Sequence, residues 1–430
     1  MNHCYLKNLL RKFVIILLVT STVNAMAQDA ARYPLIPYPT QLTAGKGSFI
    51  ITAKTAIVTT GQFKAEAELL SQLLSEGLGS KPAITEKVKA QPIKLVYDAA
   101  ISQPEGYKLR ITPQQVTIAA KYPAGIFHAI ETIRQLLPVS VEAGVTLKQL
   151  SLPAVAIEDH PAYQWRGMHL DVSRHFFSIS YLKKFIDRLA LYKMNKLHLH
   201  LTDDQGWRIE IKKYPLLTEQ GAWRTFNNQD SACMKKAADN PDFNIDKEHI
   251  IQRDGKILYG GFYTQDEMRG VVAYAAARHI DIIPEIDMPG HMMAAINSYP
   301  FLTCNGENKF GELFSKPICP CNETTFEFAE NVFKEIMDIF PSKYIHIGGD
   351  EVDRSDWAKS DACKALMQKE GIKDLPALQS YFINRMEKFF NANGRKMIGW
   401  DEIIEGGVTK SALVMYWRTW VPTAGRAALF

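Results

Sequence analysis

No charge of one sign dominates this 430-residue chain: 50 lysines and arginines face 46 aspartates and glutamates, a formal net charge of +4. Electrostatic attraction to nucleic acid needs a basic face, so no nucleic-acid partner is expected. Cysteine is scarce, six in all. The "CPC" at Cys319–Cys321 stands without a second cysteine or histidine pair at ligand spacing, so a structural zinc site is a poor reading. We expect no cofactor and no metal. Long apolar runs are also lacking. A bilayer span takes about 20 consecutive apolar residues, and the candidate "FVIILLVTSTV" is shorter. It follows Lys7, Arg11 and Lys12 and leads into "NAMAQ", with Ala25 and Ala27 ahead of Gln28. Basic, apolar, then small residues is the order of an export signal, here residues 1–27. An uncleaved anchor is the alternative. Cys4 precedes the apolar run, which argues against a lipoprotein cysteine. Cleavage would remove three cations and no acid, so +4 would fall to +1. The expectation is an exported protein, periplasmic or extracellular.

Hydrophobic residues make up 47% of the chain and charged residues 22%, enough for two domains with real cores. Export permits disulfides. Cys304 and Cys319 flank the loop-like "NGENKFGELFSKPI" and are the expected pair, with unpaired structural cysteines as the alternative. Five cysteines remain after residue 27, so at least one is left as a thiol or an intermolecular bond.

Residues 30–155 read as a smaller α+β domain. "SFIITAKTAIVTT" has the look of a strand, "GYKLRITPQQVTIAA" of a hairpin, and two stretches carry apolar residues at helical spacing. From Trp165 the pattern changes to strands alternating with helices. "SISYLKKFIDRLALYKMN" is a helix with Ser180 as its expected N-cap and Asn195 as a left-handed stop. Phe226–Tyr259 reads as an inserted loop, and Thr264 with Glu267 as a capping box. Repeated βα units of short apolar strands predict an α/β fold, a (β/α)₈ TIM barrel over residues 160–430. About six strands can be counted, so the barrel is expected to be incomplete at its C-terminus.

Each of these strands ends in polar or aromatic side chains: Asp171 and Arg174; His200, Asp203 and Asp204; Glu285, Asp287 and His291; Asp350 and Glu351; Trp400, Asp401 and Glu402; Trp417 and Arg418. A barrel gathers such ends on one face. Within that pocket the adjacent Asp350 and Glu351 stand out. Close like charges raise at least one pKa, and a carboxyl kept protonated is a proton donor. A helix N-terminus that favours acids is the bland alternative. Trp400, Trp417 and Arg166 suit the walls and hydroxyl contacts of a sugar site. Two other readings stay open. "HLHL" places His198 and His200 on one strand face, where with His291 and Asp350 they would make a metal-dependent hydrolase. The chain would otherwise be an inactive sugar-binding fragment.

The blocks "WRGMHLDVSRHF", "KMNKLHLHLTDDQGWRIEI", "LYGGFYTQDE", "IPEIDMPGH", "HIGGDEV" and "IGWDEI" resemble, in this order, those of the family-twenty glycoside hydrolases, the exo-acting β-N-acetylhexosaminidases. The resemblance implies a retaining, substrate-assisted cleavage of terminal β-linked N-acetylhexosamine from oligosaccharides or glycoconjugates. It implies Glu351 as general acid/base and Asp350 as the group that orients the substrate's acetamido arm. It implies Arg166 on the sugar hydroxyls, Asp203 and His291 behind the acid, and Trp400 and Trp417 around the acetamido group. Oligomeric state is not implied.

Overall fold

Two patterns of burial divide the chain. Over Tyr107–Ile111 and Val116–Ala120 buried residues alternate with more exposed ones, the period-two signature of a sheet covered on one face. Past Gly167 the strands are short, and inner ones such as Lys196–His200 and Asp281–Glu285 bury both faces, while Gly167–Asp171 and Leu413–Met415 stay more exposed. The computed structural model describes residues 32–87, 90–306 and 314–421, so the expected export signal at residues 1–27 lies outside them. Chain contacts define two compact units, one of residues 1–166 with 187–194 and one of residues 167–186 with 195–430.

The first unit is built on seven strands: β1 (Gln41–Ile51), β2 (Ala56–Val58), β3 (Ala83–Thr85), β4 (Ile93–Tyr97), β5 (Tyr107–Ile111), β6 (Val116–Ala120) and β7 (Leu150–Asp159). They lie in the order β1-β7-β5-β6-β4-β2-β3. The strand expected over Ser48–Thr60 is two, because the chain turns at Thr52–Thr55. The hairpin is present as expected, β5 against β6 antiparallel. Two helices, α1 (Lys64–Leu78) and α2 (Pro123–Leu136), contribute Leu70, Leu74, Ile126, Ile130 and Ile133 to the core. Each such buried aliphatic side chain contributes about 1.5–3 kcal/mol. Helix α1 stops at Gly79, whose φ of 68° suits a residue without Cβ.

Among the described residues the second unit carries a sheet of six parallel strands in chain order: β8 (Gly167–Asp171), β9 (Lys196–His200), β10 (Asp281–Glu285), β11 (Tyr344–His346), β12 (Lys396–Trp400) and β13 (Leu413–Met415). Their connections include the helices α3 (Ile179–Leu191), α4 (Gln265–Ala276), α5 (Glu323–Ile339) and α6 (Leu375–Ala392). Asp171, His200, Glu285 and His346 are register partners across β8 to β11. Parallel pairing therefore aligns the polar strand ends on one rim, the barrel logic the sequence predicts. On the outside, Phe333 of α5 meets Phe390 of α6 edge-on at 4.7 Å, and Phe326 stacks on Phe382 at 5.4 Å.

Several local expectations are corrected. The amide of Tyr181 donates to Ser178 Oγ, so Ser178, not Ser180, caps α3. The left-handed residue after α3 is Lys193 (φ 58°), not Asn195. The stretch Phe226–Tyr259 is no bare loop: it holds the helix Asn228–Lys236 and the strand Ile250–Arg253, paired with Lys256–Gly260. The Thr264–Glu267 capping box opens α4 as expected. Cys304 bonds Cys319, and a second disulfide joins Cys321 to Cys363; Cys233 is free. No helix among the described residues is long and apolar enough to cross a membrane.

Candidate active site

The segment after β11 positions the two acids. Gly348 (φ 74°) and Gly349 (φ 93°) take conformations that cost other residues free energy, and Glu351 itself has φ 49°. A Cβ on Gly348 would sit 1.8 Å from Asp287 Oδ1, so only glycine allows Asp287 to lie beneath this turn. The result answers how neighbouring carboxylates can share one target. Asp350 Oδ2 and Glu351 Oε2 are each 3.6 Å from His291 Nε2.

His291 also has a positive φ, 56°, and its side chain is buried. Its Nδ1 lies 3.1 Å from Asp203 Oδ1 and 3.4 Å from Asp204 Oδ2. Burial opposes a charge there, yet hydrogen bonds to Asp203, Asp204 and Glu351 outweigh it and push the imidazole well above its ordinary range. Burial likewise favours a neutral Asp203, but His200, His291 and Arg174 hold it below the usual carboxylate range. Arg174 Nη2 is 2.6 Å from Asp203 Oδ2, and Arg174 Nη1 donates to Asp171 Oδ2 at 2.8 Å. Asp204 is a clamp on the backbone, accepting from the amides of Met293 (3.1 Å) and Ser315 (2.7 Å).

The two acids differ in environment. Asp350 is raised, first by burial and also by Glu285. Glu351, 40% exposed, is lowered by its hydrogen bond to His291. The pairing of like charges was expected to raise one acid, and the acid raised is Asp350, not Glu351.

Below the rim lies a buried polar core. Glu285 has His200 Nδ1 at 2.7 Å, His198 Nε2 at 2.8 Å and His346 Nδ1 at 3.1 Å, and accepts from Trp400 Nε1 at 2.8 Å. Burial favours its neutral form, but His200, His346 and His198 hold it well below the usual range. His198 is pushed down to about 3 by burial and by His346. The metal-hydrolase set does not converge. His198 and His200 meet at Glu285, whereas His291 meets Asp350 and Glu351. Groups such as Asp203, Asp204 and His291 come close enough to chelate. Yet His291 Nδ1 and His200 Nε2 are already spent on Asp203, a proton-carrying network rather than open ligands.

Trp400 and Trp417 are each tethered to an acid. Trp400 is held by Glu285, and its ring packs edge-on to His346 at 4.8 Å. Trp417 Nε1 donates to Glu402 Oε2 at 3.0 Å, and the Trp417 amide donates to Asp401 Oδ1. Burial pushes Glu402 up to about 7. Trp207 is buried in the core.

Arg166 is a correction. Its guanidinium bonds Glu105 and the carbonyls of Tyr163 and Lys193, all in the first unit. It precedes β8, whereas the site is built from strand C-terminal ends. The arginine among the site acids is Arg174, which follows β8. Position relative to the strand was the available signal. Asp287, Glu285 and Glu402 had none beyond a place in the strand-end list.

A model of the glycosyl hydrolase family 20 catalytic domain matches residues 163–429, and one of the family's domain 2 matches residues 32–160. The chain belongs to glycosyl hydrolase family 20. It is 40% identical over 398 residues to a β-hexosaminidase of Porphyromonas gingivalis, an alignment covering 89% of this chain and 47% of that protein. A β-N-acetylhexosaminidase of Cellulomonas fimi is 31% identical, covering 89% and 68%. Among solved structures, a family 20 exo-β-N-acetylglucosaminidase from Vibrio harveyi with bound N-acetylglucosamine superposes with a TM-score of 0.78 at 33% identity, covering 92% of this chain and 60% of that one. The family's structures pair an N-terminal domain with a (β/α)₈ barrel, the fold class of this chain. The chain spans about half the length of the Porphyromonas relative and 61% of a β-hexosaminidase of Vibrio furnissii.

Proposed function

We propose that this chain removes terminal β-linked N-acetylhexosamine from oligosaccharides or glycoconjugates by a retaining, substrate-assisted route. One observation carries the reading: neighbouring acids, one 14% and one 40% exposed, address the same nitrogen of His291. Glu351 protonates the glycosidic oxygen. As the C1–O bond breaks, the acetamido carbonyl oxygen bonds C1 and the aglycone leaves as an alcohol. Asp350 accepts a hydrogen bond from the acetamido N–H and stabilises the positive oxazolinium-type ring. Water then attacks C1, its proton passes to Glu351, and the internal bond opens with the β configuration restored.

The proton Glu351 needs comes from His291. In the open site the pair is charged. A bound sugar expels water, and in a low dielectric a neutral pair is favoured over two desolvated ions. Asp203 behind His291 keeps the imidazole oriented for the return. Arg174 faces the hydroxyls, and Trp400 and Trp417 flank the acetamido group. Similarity to named β-hexosaminidases at 30–40% identity supports the substrate class. We further propose export to the periplasm or outside the cell, on the sequence of residues 1–27 alone.

The test is a panel of aryl β-glycosides. Wild type should cleave the N-acetylglucosaminide or the N-acetylgalactosaminide and spare the plain glucoside. Glu351→Gln should lose roughly 10²–10⁴-fold in kcat on the same substrate. Equal rates on the acetamido and hydroxyl sugars would refute the substrate-assisted route.

A further inference from the structure

Asp287 has no part in the reaction as described, yet it is completely buried under the catalytic turn. Its amide donates to Thr202 Oγ1 at 3.1 Å, which fixes the backbone. Its Oδ1 accepts the Gly349 amide at 3.1 Å. Its Oδ2 is buried with no hydrogen-bond partner. Asp350 Oδ1 is in the same condition, while Asp350 Oδ2 faces His291. Asp287 and Asp350 act on each other electrostatically, and the Gly349 amide bound to Asp287 belongs to the residue just before Asp350. Two ionised carboxylates meeting in a dry place would repel, and each would leave an acceptor unsatisfied, at about 1–3 kcal/mol or more apiece. One proton between the orphaned oxygens removes both penalties.

We propose that Asp287 is a protonated carboxylic acid whose Oδ2–H donates to Asp350 Oδ1, holding Asp350 ionised with Oδ2 turned toward the substrate's acetamido N–H. This rests on the role given to Asp350 above. Asp287 is a positioning residue, acting through Asp350. The proton belongs on Asp287 because of what faces each acid. Asp287 is fully enclosed and sees Asp350 and Glu285, with His200, His291 and Arg174 as the neighbouring cations. Asp350 is 14% exposed and directly beside His291. Burial and Asp350 accordingly push Asp287 well above the carboxylate range. The fit also explains Gly348, since any Cβ there would displace Asp287 Oδ1.

The test uses the purified full chain. Infrared spectra at neutral pH, wild type minus Asp287→Asn, should show a carboxylic-acid carbonyl band, and Asp350→Asn should shift that band by changing its acceptor. Kinetics on an aryl N-acetylglucosaminide should show kcat down about 100-fold in Asp287→Ala and less than about 10-fold in Asp287→Asn, whose amide still donates, with KM little changed in both. A wild type lacking the Asp287-dependent band overturns the proposal whether or not the protein turns over substrate. So does an Asp287→Asn variant as impaired as Asp287→Ala. A band without turnover upholds the shared proton and counts against the glycosidase reading instead. If Asp287→Ala does not fold, the infrared arm on Asp287→Asn decides.

Discussion

Replacing Gly348 with alanine probes the turn that leads into Asp350 and Glu351 at its tightest point. The new methyl group would lie 1.8 Å from Asp287 Oδ1, 2.2 Å from its Cγ and 2.9 Å from its Cα. Ordinary contact is about 3.5–4.0 Å, so the two segments must separate by more than 1 Å. Neither neighbour yields easily: Asp287 is enclosed, and the Gly349 amide is tied to it. Overpacking of this kind costs about 1–3 kcal/mol, and alanine at φ 74° adds about 1–2 kcal/mol. The sum is about 2–5 kcal/mol. At roughly 2–4 °C per kcal/mol for a domain of this size, Tm should fall by about 4–20 °C. Gly371→Ala is the internal control. Gly371 has φ 67°, but a Cβ there meets nothing within 4 Å, so only the backbone cost of about 1–2 kcal/mol remains. Thermal unfolding of the two variants side by side isolates the clash. Turnover adds a second reading, because moving Asp350 by 1 Å should cost about 100-fold. If Gly348→Ala melted with Gly371→Ala and kept its activity, the packing of Asp287 under the turn would be wrong.

Two further outcomes follow from the site. Arg174→Ala should lower kcat/KM by at least about 100-fold, since a residue bound to Asp203 at the rim is lost, whereas Arg166→Ala should change it less than about fivefold and act on stability through Glu105; the reverse order would restore Arg166 to the sugar site. Burial pushes Glu402 up to about 7 from an ordinary 4.5. A raised acid stabilises below the unfolded pKa and loses that contribution as pH rises through the folded one, so the gap between wild type and Glu402→Gln should change by up to about 3 kcal/mol between pH 4.5 and 7. Urea unfolding at both pH values measures it, and a constant gap would contradict the assignment.

Much of the architecture was legible because it is written in local patterns. Period-two burial marks the hairpin β5–β6, helical spacing marks α1 and α2, and the Thr264–Glu267 box marks the start of α4. The alternation of short strands and helices predicts parallel pairing, and parallel pairing alone puts strand ends on one rim. Errors fell where a neighbouring residue could play the same local part. Ser178 and Ser180 are equally good caps on paper, as are Lys193 and Asn195 as stops once context overrides propensity. The Cys321–Cys363 bond joins residues 42 apart and leaves no local trace.

Patterning along the chain thus determined the fold class, the barrel rim and the acid pair, since each depends on residues near one another in sequence or on the regular geometry of strands. Strand position already set Arg174 apart from Arg166, but only the tertiary structure showed Arg174 bound to Asp203, which comes from the next strand's end. It alone decided which carboxyl is raised and which lowered. That choice belongs to burial and to His291, Asp287 and Glu285, brought in from other strand ends, and a pKa answers to neighbours in space rather than in sequence.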